Sequence, residues 1–217
     1  MLKKVYVLIA FCVMLPSVFG QGNFKVGVSF EPSVAWLKSD VSDVNPEKAK
    51  LGFSFGVTTD LYFASNYAFA TGISLLSTGG TLSYDKGIIL KSKNNNIIVG
   101  NGENVKYNVR YIKIPLGLRL KTHQIGRMTY FADLGFDPMV KISARADHGN
   151  DKNVRIGEEV KAFNIGFHAG GGVEYSLGEE ASLIFGLTYM NLFADMTSTS
   201  HDKITSNNLL FRIGIIF

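Results

Sequence analysis

The chain has 217 residues, 46% of them hydrophobic, 12% aromatic and only 18% charged, with 23 Gly, 5 Pro, one Cys and a formal charge of +4. Mean hydropathy is positive at +0.14, and disorder and low complexity are excluded, since an ordinary soluble domain carries about 25% charged residues. No run beyond the first twenty residues approaches the roughly 18 unbroken apolar residues of a spanning helix, so strands have to carry the apolar surface.

At the N-terminus, Lys3 and Lys4 precede an apolar run over 5–15, Pro16 breaks it, and Val18 and Gly20 are small enough for a signal-peptidase site before Gln21. Residues 1–20 are therefore expected to be a signal peptide and 21–217 the mature domain. The apolar run would rise only about 16 Å as a helix against a bilayer core of about 30 Å, too short for an anchor. A lipoprotein box at Cys12 is set aside because Phe11 is too bulky before a lipidated Cys and the run continues past it. Cleavage removes the only cysteine, so no disulfide or thiol chemistry remains. It also takes the formal charge from +4 to +2 with the loss of Lys3 and Lys4. No basic tract with interleaved aromatics occurs, and no nucleic-acid partner is expected.

Eight segments then alternate with period two: 23–37, 49–64, 67–84, 106–122, 128–145, 160–177, 181–195 and 205–217. The connectors at 64–66, 123–127 and 178–180 are short, whereas 38–48, 85–105, 146–159 and 196–204 are long and polar. Alternating tight and long connections predict an all-β fold, an eight-stranded antiparallel up-and-down transmembrane β-barrel. Each strand has one bulky apolar face and one face of small and charged residues. Ile112, Ile114, Leu116, Leu118 and Leu120 oppose Lys113, Pro115, Gly117, Arg119 and Lys121.

Parity alone does not say which face is inside: a soluble lipocalin-like barrel points its apolar face inward, a membrane barrel outward. The polar faces are rich in Gly and carry a balanced set, Lys25, Lys113, Arg119, Lys141 and Arg212 against Glu31, Asp60, Asp133, Asp137 and Glu174, with His168 beside it. Small residues and mutually neutralising charges suit a narrow interior. Aromatics gather near strand ends, with Tyr62, Phe63, Tyr67, Tyr130 and Tyr175 by the short turns and Trp36, Tyr84, Tyr107 and Tyr189 toward the long loops. They read as girdles at two membrane interfaces.

The final segment ends in Phe217, preceded at every second position by Ile215, Ile213, Phe211 and Leu209. This pattern resembles the C-terminal strand signal that the barrel-assembly machinery of bacterial outer membranes recognises. Tyr111-Ile112-Lys113-Ile114-Pro115-Leu116-Gly117-Leu118 resembles the Tyr-Leu-Glu-Ile-Pro-Leu strand of PorT-like outer-membrane β-barrel proteins of the Bacteroidetes, with Lys113 in place of the usual Glu. The resemblance implies a small outer-membrane barrel in a family whose members mostly lack an assigned activity. Pro115 in a central strand predicts a bulge there.

No catalytic or cofactor-binding set emerges, and no cofactor or enzymatic activity is expected. Residues 147–153 offer oxygen ligands but lack EF-hand spacing. His201 and Asp202 with Ser198 or Ser200 have no held triad geometry, and Gly170-Gly171-Gly172 is flanked by strand residues, not followed by a helix. Short patches at 87–91 and 94–100 suggest an extended hairpin with an edge open to a partner strand. The expectation is an exported protein of the cell outer membrane with a side-chain-filled interior and a structural or surface-interaction role. Its partners would be outer-membrane lipid, the assembly machinery, and a protein at the long loops. A narrow conducting porin is the alternative, and a soluble ligand-binding barrel a distant one.

Overall fold

The computed structural model describes residues 24–90, 97–149, 151–178, 181–197 and 203–217. The expected signal peptide lies outside them. The strands are β1 (Phe24–Ser39), β2 (Val44–Lys48), β3 (Lys50–Ala64), β4 (Tyr67–Tyr84), β5 (Ile88–Leu90), β6 (Ile97–Val99), β7 (Glu103–Lys113), β8 (Leu116–Lys121), β9 (Met128–His148), β10 (Asp151–Arg155), β11 (Phe163–Ser176), β12 (Ser182–Leu192) and β13 (Ile204–Ile216).

The antiparallel pairings return to their starting point. β1 pairs with β3, β3 with β4, β4 with β7 and β8, these with β9, and β9 with β11; β12 and β13 follow, and β13 pairs with β1. With β7 and β8 sharing one position, eight positions close a ring that leaves no edge. The last closing bonds are reciprocal, Phe217 N–H to Val26 O at 2.8 Å and Val26 N–H to Phe217 O at 3.1 Å.

Side-chain parity places the bulky apolar set outside. Phe30, Phe55, Ile73, Leu118, Leu134, Phe136, Phe163, Leu187, Phe211 and Ile213 are all exposed, and they come from every position of the ring. A soluble monomer rarely exposes a contiguous apolar patch beyond a few hundred Å². A continuous apolar girdle belongs against hydrocarbon, which removes the soluble lipocalin-like alternative.

Pro115 does not sit at a bulge. Lys113 lies opposite Ser74 and Met139, Leu116 opposite Thr71 and Phe136, and the register is the same on both sides of the proline. The strand is interrupted without slipping. The register shift lies instead between Arg110 and Tyr111 against β9. Beyond it the buried positions of β9 change from Asp137 and Met139 to Ala144 and Ala146, because one extra residue turns every following side chain to the other face.

Four short strands form within the expected long connections. β2 joins the far end of β4, β10 joins the far end of β9, and β5 pairs with β6. All lie at the long-connection end. β9 has 21 residues, about 70 Å of strand at roughly 3.3 Å per residue, whereas about 9–11 tilted residues cross a bilayer. Its upper half, with β2, β5, β6 and β10, forms a cap beyond the membrane.

Candidate functional site

The lumen is filled in layers. At its centre and toward the short turns lies a charge network. Arg119 on β8 donates to both oxygens of Asp60 across the ring at 2.9 and 2.8 Å and to Asp133 on β9 at 3.0 Å. Arg212 on β13 reaches Glu31 on β1 at 2.6 Å and the same Asp133 oxygen at 2.8 Å. Lys121 bridges Asp60 at 3.3 Å and Glu174 at 2.6 Å and also donates to the Tyr62 hydroxyl. His168 Nδ1 meets Asp137 at 2.9 Å, and the Arg119 guanidinium stacks 5.0 Å from the Phe131 ring centre. Asp133 holds two guanidiniums at 3% exposure, and Asp137 is fully buried.

Glycines make room for these side chains. A Cβ on Gly135 would stand 2.9 Å from His168 Cε1, and one on Gly117 3.2 Å from His168 Nε2. Gly172 of the triple-glycine run packs with its Cα face 2.0 Å from Phe185 O and 2.8 Å from Phe131 Cζ, measured to an added Cβ. The run is a packing device of β11.

Above the charges is a neutral rung, Thr78 of β4 bonded to Ser206 at 2.9 Å and Asn208 at 2.7 Å on β13, two strands that are not ring neighbours. Above the rung is an apolar plug that includes Leu37, Leu82, Val109, Tyr111, Met190, Leu192 and Ile204. It continues into the cap through Val44, Leu90, Val99 and Ile156. What remains open among the charges is a cavity of about 30 Å³, room for a water molecule or two. Lys113 lines it with Glu31 and Asp137, so the residue at the resemblance's usual Glu position faces carboxylates.

Of the predicted set, Glu31, Asp60, Lys113, Arg119, Asp133, Asp137, His168, Glu174 and Arg212 lie in this lumen. Two do not join the network. Lys25 has inward parity but sits exposed at the short-turn mouth, beyond the last buried layer. Lys141 donates to the backbone carbonyls of Gly157 and Val160 instead of to a carboxylate, because it lies at the bulge where β9 changes faces. Lys121 joins the network without having been singled out by sequence, although its parity with Arg119 marks it. The girdle assignment also changes: Tyr84 and Tyr107 are buried in the plug with hydroxyls 2.6 Å apart, and Tyr62 turns inward to Lys121. Trp36 and Tyr189 do form an outer pair, their rings 6.4 Å apart, and Phe63 stacks on Tyr67 at 6.2 Å at the short-turn end.

In the cap, Asp147 accepts from Asn153 N–H at 2.7 Å and Asn108 at 3.3 Å. Ser198, Ser200, His201 and Asp202 lie outside the described residues. Asp195, in the β12–β13 connection, accepts from the N–H and hydroxyl of Thr197, from Ile204 N–H and from Lys161. Burial raises its pKa, but these four donors outweigh burial and hold it below the ordinary 3.8. A carboxylate whose folded pKa is lowered stabilises above its unfolded value and stops doing so as pH falls through the folded one. Amide protection factors at Thr197 and Ile204 are therefore expected to drop only below pH 3.8, and Asp195→Asn should lower them at neutral pH and remove the pH step.

A closed antiparallel ring with an apolar exterior and a charged interior defines the class of membrane β-barrels. The chain belongs to the outer membrane protein beta-barrel domain family, whose profile matches residues 19–198. No curated protein matches the sequence. Among solved structures, Neisserial surface protein A is similar at 13% identity and a TM-score of 0.51, covering 90% of this chain and 96% of that one. The outer membrane protein OprG from Pseudomonas aeruginosa is similar at 11% identity and 0.52, covering 90% and 95%. At these identities the likeness is one of fold.

Proposed function

We propose that this chain is an eight-stranded, up-and-down transmembrane barrel of the PorT-like kind. Both termini and the short turns face the periplasm, and the long connections face the cell surface. Its role is structural or interactive, including support of an envelope or secretion complex, and it does not conduct solutes. The observation that carries this reading is the filled lumen: side chains bonded across the ring, an apolar plug above them, and a cavity of about 30 Å³. What remains free to address a partner is the cap, where Ile89 and Ile98 pair across the β5–β6 hairpin and are both exposed. In planar bilayers the purified protein should give no steady channel; open currents of porin size would establish the conducting alternative. A photoreactive residue at Ile98 in intact cells should trap one discrete surface or envelope protein, and trapping of lipid alone would overturn the interactive role.

Export by residues 1–20 and recognition of Leu209, Phe211, Ile213, Ile215 and Phe217 by the assembly machinery belong to the same reading. These five side chains share the outward face at the seam with β1. Deletion of Phe217 should leave the chain exported but lower its recovery in the outer-membrane fraction severalfold, measured by fractionation of cells.

A further inference from the structure

Where β1, β12 and β13 meet at the long-connection end, their outward side carries a groove of about 480 Å³. It continues the apolar girdle, since Val34, Leu209, Leu187 and Phe211 lie on the same outward face next to it in register. Its walls are Trp36, Tyr189 and Phe193. Its floor is Asn207, whose side-chain oxygen accepts from Tyr189 and from Asn191, each at 2.7 Å, and whose amide nitrogen has no acceptor among the described residues. On its rim stand Lys38 and Lys203 with one carboxylate, Asp40, which is 3.5 Å from Lys203.

Aromatic rings beside lysines mark the level where hydrocarbon meets water. Amide groups turned toward lipid at that level are costly unless something polar meets them. The rim carries an excess positive charge, and the groove opens sideways to the bilayer. The occupant that matches is amphipathic, anionic at one end and apolar at the other, and reaches the site from the membrane.

We propose that this groove binds one anionic lipid, with its head-group phosphate between Lys38 and Lys203 and accepting from Asn207, and its chain along Trp36, Tyr189 and Phe193. The proposal rests on the outward face being the lipid face. Trp36 is the only tryptophan of the chain, so its fluorescence reports this site alone. The full chain is reconstituted in phosphatidylcholine vesicles in which a minor fraction of lipid is either brominated-chain phosphatidic acid or brominated-chain phosphatidylcholine. Quenching by the anionic lipid should correspond to about tenfold or greater enrichment at Trp36, and Lys38→Gln with Lys203→Gln, both on exposed side chains, should abolish the preference while the barrel stays folded. Equal quenching by both lipids, or a preference that survives the double substitution, overturns the site and leaves the membrane reading intact. Quenching by neither lipid in a monomer would overturn both. Shielding of Trp36 together with a dimer on sizing would assign the groove to a second copy of the chain instead.

Discussion

Replacing Asp133 by Ala is expected to destabilise the folded protein by about 3–5 kcal/mol, the usual cost of removing one partner from a buried ion pair. Asp133 is the only residue of the network that takes both arginines, through one oxygen, at 3.0 Å from Arg119 and 2.8 Å from Arg212. Without it, two guanidiniums face each other across a lumen where each is nearly excluded from water. Arg119 would keep Asp60 and Arg212 would keep Glu31, so the ring would still close, weakened. Urea unfolding in detergent, followed by tyrosine and tryptophan fluorescence, measures this. Coupling tells the cause: with Arg212→Met added, the loss should be smaller than the sum of the two single losses. A change within about 1 kcal/mol for Asp133→Ala would mean that water or ions reach the network and that the lumen is not filled.

Leu134→Arg is expected to cost about 2–4 kcal/mol in a bilayer, the depth-dependent penalty for a cation on the lipid face near the midplane. Leu134 lies opposite Leu118 on β8 and Ala169 on β11 in mid-strand, with its side chain outward and about half exposed. The same charge placed at Ile98 on the cap, 77% exposed, should cost nothing measurable. In a water-soluble barrel the order would reverse, since an outward arginine would be harmless and would improve solubility. The comparison of the two variants thus separates lipid exposure from mere exposure.

Much of this architecture was legible in the residues themselves. The eight alternating segments correspond to the eight ring positions, because a period of two survives any tertiary context that keeps one face on lipid. Arg119, Asp133 and Arg212 announced an interior by their parity with glycines. The same parity misled where the register slips. A bulge opposite Tyr111 turns β9 around, so Lys141 ends beside the carbonyls of Gly157 and Val160, and no local pattern signals that extra residue. By sequence, Tyr84 and Tyr107 suit a girdle, because tyrosines near strand ends fit an interface. They instead plug the lumen, since β4 and β7 run on past the membrane and their ends meet each other and the cap. The apolar plug is not visible for the same reason: Leu37, Leu82 and Ile204 share it only because β1, β4 and β13, far apart in sequence, bring their ends together. β2 contains Pro46 and β10 has Val154 as its one apolar residue, so neither carries strand alternation; they form by lying along the free edges that β4 and β9 leave beyond the ring.

Everything above follows from an apolar face that points at lipid around a closed, internally bonded ring. Electrophoresis of the detergent-extracted protein with and without boiling tests it most directly. The chain should leave the membrane only with detergent, and the unboiled form, its ring intact, should migrate faster than the boiled one. A protein that dissolves without detergent and shows the same mobility before and after boiling would contradict it.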